Sequence, residues 1–315
     1  MTVIDLHTHS NASDGTDSPA ALVKAAAAAG VTTLGITDHD TTAGWQEAAR
    51  QAALSGIALV RGAEISTNLL QGDTGAVTQA GAGADASFAN AGAGVRSDAD
   101  GLIHIHLLSY LHDPTHPALR DLFDQTRAQR LDRLKQMTAR LSADFPITWA
   151  DVQARTGQGA TVGRPHIADA LIAAGVVPNR DVAFAKMLRA GAPYYLPYVA
   201  PSTVEVIGAV RAAGGVPVIA HPFAYERGRC ISPAQLRMLA RAGLMGVEVD
   251  HRDQSPQARE ELRCIAGDLG LIVTGSSDYH GAGKPNRLGE NTTSAHMLVR
   301  IAEAGAIGIV GPVAF

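Results

Sequence analysis

Short apolar runs recur along the chain at residues 3–6, 34–37, 58–60, 102–108, 216–220, 246–249, 271–274 and 306–310, each of the length expected for a buried strand. Between several of them lie amphipathic, alanine-rich stretches at 18–29, 42–53, 201–213 and 255–269 that read as helices. Ser18-Pro19 supplies an N-cap followed by proline at the first helical position. Strand and helix in alternation predict an α/β fold built on a parallel barrel, (β/α)n with n near seven or eight.

Two segments interrupt that alternation. Residues 72–101 are dominated by glycine, alanine, aspartate and serine with no apolar period, which predicts a solvated insertion that the chemistry can do without. Residues 114–197 are helix-rich instead: Leu119, Leu122, Phe123, Leu131, Leu134, Met137 and Leu141 recur at helical spacing, and Trp149 with 167–174 can complete a small core. The expected organisation is a barrel of residues 1–113 and 198–315, with 114–197 a helical insert covering the active site.

Bulk composition narrows the functional classes. At 46% hydrophobic and 18% charged residues the chain can bury a large core, and a net charge of −4 gives no field to attract long nucleic acid or an anionic membrane. Cys230 and Cys264 alone cannot build a disulfide framework. Reduced cytoplasm is the expected location, since no basic leader or long apolar span is present. No obligate protein partner is evident.

Histidine changes the picture. The chain has 12, and many follow the apolar runs. The first run ends in His7-Thr8-His9, whose i, i+2 spacing on an extended chain turns both imidazoles to one side, with Asp14 close behind. Asp38-His39-Asp40 ends the second, Glu64 the third and His221-Pro222 the fifth, the fourth contains His106, and Asp278 and His280 follow the seventh. Strand ends are where a barrel carries its catalytic groups. Burying so many imidazoles and carboxylates together is costly unless cations bind them. Without cysteine the ions should be manganese, zinc, iron or magnesium, two or three per chain.

His7-x-His9, Asp14, Thr37-Asp38-His39, Glu64, His221-Pro222 and Ser277-Asp278-x-His280 resemble the four signature motifs of the polymerase and histidinol phosphatase (PHP) family. Gly163-Arg164-Pro165-His166-Ile167-Ala168 and 287–293 add a likeness to its insert-bearing members, which act on 3',5'-bisphosphorylated nucleosides or trim RNA from the 5' end. The resemblance implies a distorted (β/α)7 barrel and a phosphoesterase that hydrolyses nucleotide phosphate monoesters with a metal-activated water. It implies one metal on His7, His9, Glu64 and Asp278, a second on Glu64, His106 and His221, and a third on Asp14, His39 and His280.

Around these ligands, Asp5, Asp38 and Glu248 are candidates to support imidazoles. Arg164, in a turn that no helix face explains, and His166 are expected to contact a phosphorylated small-molecule substrate or short oligonucleotide, with Arg130 a third contact. Arg127, Arg133 and Arg140 read as a solvated helix face, His104 as structural, and His112, His116, His251 and His296 as surface. Histidinol-phosphate hydrolysis, 5'-end RNA trimming, amide hydrolysis and a non-catalytic metal-binding module are the competing readings.

Overall fold

Seven of the eight apolar runs become strands of one sheet in a computed structural model that describes residues 2–73, 101–157, 159–198, 200–225 and 229–313. In order around the sheet they are β1 (Ile4–Asp5), β2 (Thr33–Ile36), β3 (Ala58–Leu70), β4 (Leu102–Tyr110), β5 (Val216–Ile219), β6 (Gly246–Asp250) and β7 (Ile272–Gly275). A parallel bridge from Thr8 to Tyr279, with His9 N–H on the Tyr279 carbonyl at 2.8 Å, draws the two edges together beyond β1 and β7. The result is a nearly closed seven-stranded barrel. The eighth run leaves only an isolated bridge between Val310 and Leu59. Nearly all of the 72–101 insertion lies outside the described residues.

β4 departs from the parallel pattern: it runs antiparallel to both β3 and β5. Leu70 pairs with Leu102 and Gly62 with Tyr110, so the chain leaves β3 and re-enters β4 at the same end, as in a hairpin. This places Glu64 and His106 in the middle of long strands, not at strand ends.

The flanking helices are α1 (Pro19–Ala28), α2 (Trp45–Ser55), α7 (Thr203–Ala212), α8 (Pro233–Arg241), α9 (Pro256–Leu269) and α10 (Ala295–Ala304), and the 114–197 segment holds α3 (Pro117–Ser142), α4 (Trp149–Gln153), α5 (Arg164–Ala173) and α6 (Arg180–Ala183). Ser18 caps α1 as its sequence implies, accepting from Ala21 N–H. Gly35 keeps β1 and β2 tight beneath His7, because a Cβ there would collide with the Leu6 backbone. Among the described residues no helix is long and apolar enough to cross a membrane.

Helix α3, 26 residues long and about 39 Å from end to end, serves two cores. Leu119, Leu122 and Phe123 join the barrel core with Val206, Ile207 and Leu107. Leu134, Met137 and Leu141 pack instead with Ile147, Val152, Ile167, Leu171 and Leu188 in a cluster drawn from residues 134–188 alone. Hydrogen bonds and an ion pair tie the 114–197 segment to the barrel mouth. Thr161 N–H donates to the Ala12 carbonyl (2.9 Å), and Arg130 pairs with Asp40 (2.7 Å).

His112, read as surface, is fully buried, with Nδ1 2.7 Å from Ser109 Oγ and its ring 4.9 Å from Trp45. Burial pushes it down to about 4, so the unfolded chain takes up a proton there first as pH falls. Its contribution to stability is complete above pH ~6.5 and fades towards pH ~4, by ~3 kcal/mol. Urea melts across that window should show wild type losing stability faster than His112→Gln. The pairwise comparison cancels Asp5, which burial pushes the other way, up to about 6.

Candidate metal centre

The extended chain leaving β1 turns His7 and His9 to the same side, with their Nε2 atoms 3.0 Å apart. Both point at one oxygen of Glu64, whose Oε2 is 3.2 Å from His7 and 3.0 Å from His9. His39 Nε2 approaches the same oxygen at 3.4 Å. The other oxygen, Oε1, faces His106 Nδ1 at 2.7 Å and His221 Nε2 at 3.6 Å. Glu64 is thus the hub of five imidazoles. Asp278 Oδ1 lies 3.6 and 3.5 Å from the same His7 and His9 nitrogens and 3.4 Å from His280 Nδ1. Asp14 closes the far side, 3.3 Å from His280 Nε2 and 3.9 Å from His39 Nε2.

Ligand atoms of His7, His9, Glu64 and Asp278 lie within 4.8 Å of one another, as do those of His9, Asp14, His39 and His280 and those of His39, Glu64 and His106. The first group has the composition that the motif likeness implied. The third-site group of Asp14, His39 and His280 gains His9. The remaining grouping differs: His39 stands with Glu64 and His106, whereas His221, 3.6 Å from Glu64 Oε1, belongs to none of the three groups.

The electrostatics are those of a cation site. Burial alone would raise Glu64, yet His106, His7 and His39 hold it well below the usual carboxylate range. Burial would likewise raise Asp278, but Lys284, His280 and His7 bring it well down. His39 moves the other way, driven well below the ordinary imidazole value chiefly by burial. His9 Nδ1 and His39 Nδ1 have no hydrogen-bond partner. Six imidazoles and three carboxylates, with no sulfur, crowd around lone pairs that protons cannot satisfy together. This donor set fits borderline or hard divalent ions.

Glu248, in β6, supports the cluster from behind. Its Oε1 is 3.1 Å from His7 Nδ1, which puts the His7 proton on Nδ1 and frees Nε2 for the centre. Its Oε2 accepts from His221 N–H (3.0 Å). Although burial opposes it, His7 brings Glu248 down to about 2. Asp5 and Asp38 hold backbone and hydroxyls instead of imidazoles: Asp5 accepts from Ser277 and Gly289 N–H, and Asp38 from Ser10 N–H, Ser10 Oγ and Ser13 Oγ. Asp40, His221 and Asp278 all take positive φ, of 52°, 30° and 54°. Strain of this kind at three non-glycine residues persists only where surrounding contacts impose it.

The expected substrate contacts separate. Arg130 is drawn down onto the barrel, its Nε 2.7 Å from Asp40 Oδ2 and its Nη2 donating to Ser66 Oγ at 2.5 Å. Arg133, read as solvated, is half-buried, and Arg164 lies near enough to act on it: burial, then Arg164 and Arg130, bring Arg133 down to about 10. Tyr198 lies between Arg130 and Arg133, and Tyr195 between Arg133 and Arg164, with guanidinium-to-ring distances of 5.1–5.7 Å. The 163–166 turn does have a helix to explain it. Gly163 caps α5, Pro165 sits in its first turn, and His166 Nδ1 accepts from Gly163 N–H (3.0 Å). His166 also lines a cavity of about 360 Å³ beside Asp14, with Asn11, Thr16, Arg155, Asp169 and Arg180. Arg127 answers Asp124 on the surface. Asp40, although it ends the second apolar run, and Lys284, whose Nζ is 2.9 Å from Asp278 Oδ2, receive no role from the sequence.

The chain is similar to several known proteins along most of its length. Residues 5–146 match the model of the PHP domain. The 3',5'-nucleoside bisphosphate phosphatase of Chromobacterium violaceum is 30% identical over 91% of this chain and 90% of its own. The 5'-3' exoribonuclease Rnm of Salmonella typhimurium is 31% identical over 88% and 85%. Among solved structures, a proposed metal-dependent phosphoesterase from Bifidobacterium adolescentis superimposes with a TM-score of 0.84 at 42% identity over 97% of both chains. An amidohydrolase from C. violaceum, with bound sulfate and no metal, gives 0.78 at 28% identity over 99% of both.

Proposed function

The chain belongs to the PHP family, and from that premise we propose that it is a phosphoric ester hydrolase that uses divalent metal ions to release phosphate from nucleotides such as 3',5'-bisphosphorylated nucleosides. One observation carries the reading. Glu64 gathers His7, His9, His39, His106 and His221 about its two oxygens, with Asp278, His280 and Asp14 closing the ring. We assign His7, His9, Asp14, His39, Glu64, His106, His221, Asp278 and His280 as metal ligands and so as catalytic residues, and manganese as the resident ion.

Ions held there would act as Lewis acids on the phosphoryl oxygens and acidify the attacking water. The residues do the rest of the positioning. Glu248 fixes the His7 tautomer, Asp40 anchors Arg130, and the 114–197 segment narrows the approach to the cluster. No serine or cysteine nucleophile is required, and neither cysteine lies in the cluster: Cys230 is half-buried and Cys264 exposed.

Phosphate release from 3',5'-bisphosphorylated adenosine should be saturable and manganese-dependent, and should fall at least about a hundredfold on chelation, equivalent to ~2.7 kcal/mol of barrier. Histidinol phosphate and a simple N-acyl amide assayed alongside should turn over far more slowly. Faster cleavage of either would defeat the nucleotide reading. Relatives named as 5'-3' exoribonucleases at about the same identity make short 5'-phosphorylated RNA a second substrate to compare directly with the bisphosphorylated nucleoside.

A further inference from the structure

Asp278 presents its two oxygens to two different sets of neighbours. Oδ1 faces His7, His9 and His280 inside the cluster at 3.4–3.6 Å. Oδ2 faces outward, 2.9 Å from the Lys284 ammonium and 3.5 Å from His251 Nε2. His251 follows directly after β6 and is 0% exposed, although nothing in the spacing of the sequence separates it from a surface histidine.

Its surroundings decide its tautomer. The Asp253 N–H donates to His251 Nδ1 at 3.1 Å, so Nδ1 is the unprotonated nitrogen and the neutral ring carries its proton on Nε2. Nε2 is buried with no closer hydrogen-bond partner, and Asp278 Oδ2 lies 3.5 Å from it. The His251 carbonyl accepts from Arg259 Nη2 at 2.7 Å and from Gln254 N–H at 3.1 Å, which fixes the root of the side chain. The ring also lies 5.0 Å from that of His221. His251 therefore touches two assigned ligands without joining any of the three ligand groups. Asp278, held at a φ of 54°, depends on such contacts for its orientation.

Taking Asp278 as a metal ligand from the reading above, we propose that His251 is a positioning residue, which donates Nε2–H to Asp278 Oδ2 and so keeps Oδ1 turned to the ion. Carboxylate ligands are generally oriented by such outer partners, and losing one weakens metal binding about 10–100-fold. Lys284 shares the oxygen but is a third exposed on a flexible stem. The buried, backbone-locked ring supplies the direction.

The test exploits the two nitrogens. A glutamine amide reaches the place of Nε2, whereas an asparagine amide reaches only that of Nδ1. Calorimetric titration of manganese into the metal-free protein should show His251→Asn weakening the tightest site about 10–100-fold, with His251→Gln restored to within a few-fold of wild type. Metal-free melting curves establish that both variants are folded, and His251→Ser replaces the Asn variant should it unfold. Asn binding as tightly as wild type would overturn the proposal, as would Gln binding as weakly as Asn, since the ring would then be a spacer or itself a ligand. Because the titration reads ions and not phosphate release, a failure of the nucleotide reading would leave wild-type manganese binding intact and be told apart from a failure of this inference.

Discussion

Glu64→Gln should reduce kcat for phosphate release by more than about a hundredfold, ~2.7 kcal/mol of barrier, and should leave the purified protein with less bound manganese than wild type. The substitution keeps the shape and removes the charge. Glu64 is shared by two of the three ligand groups, and both of its oxygens are within 3.6 Å of imidazoles. No other side chain in the cluster touches so many. An amide there would offer one weak acceptor and one donor, and the donor would oppose any ion. Metal analysis and kcat measured on one preparation check the expectation. Retention of more than about a tenth of kcat, ~1.4 kcal/mol, would sink the assignment of Glu64 as the shared ligand. His9→Ala and Asp278→Ala, each removing one ligand from the first group, should fall in the same direction. Of these, His9 also belongs to the group with Asp14, His39 and His280.

How the site was legible follows from where its residues lie. His7, His9 and His39 come straight after β1 and β2, and Asp278 and His280 after β7, so apolar runs ending in candidate ligands announce them. Glu64 and His106 are proposed by the same rule, yet β3 and β4 continue past them in an antiparallel ladder, so both candidate ligands project from mid-strand. Local hydrophobic pattern reports a strand's existence, whereas its direction depends on which end the chain re-enters. The same limit hid the outer residues. Asp40, His251 and Lys284 act through contacts with residues 90, 27 and 6 positions away respectively, and only the last is near in sequence. Helix α3 was visible as a period of apolar residues. That one of its arginines reaches down to the barrel while another stacks between tyrosines is a fact of packing, which charge spacing cannot reveal.

That packing leads to the expectation for Arg164. Arg130, Arg133 and Arg164 step outward from Asp40 beside the cluster, interleaved with Tyr198 and Tyr195. Arg130 is neutralised by Asp40, whereas Arg133 is driven down to about 10 by burial and by Arg164. Like charges held together in a half-buried place are unfavourable until an anion joins them. Aromatic faces alongside suit a base or sugar as well as the guanidinium planes. A second phosphate, bound here while the first meets the metal cluster, would satisfy both features. Arg164→Ala should then lower kcat/KM for a 3',5'-bisphosphorylated nucleoside by ~2–3 kcal/mol, the scale of a lost charge-assisted hydrogen bond. The same variant should hydrolyse p-nitrophenyl phosphate, which has no second phosphate, nearly as wild type does, and its manganese content should not change. Part of the guanidinium already serves the fold, through Nη1 on the Leu188 carbonyl at 3.1 Å and stacking on Phe184, so melting curves must accompany the kinetics. Arg164→Lys keeps the charge and loses the planar fork, and should recover only part of the loss. Equal losses on the two esters would mean that Arg164 serves the reacting phosphate, and lost manganese would mean that it serves the metal cluster. Either result removes the second-phosphate role and leaves Arg133 as the residue to test next.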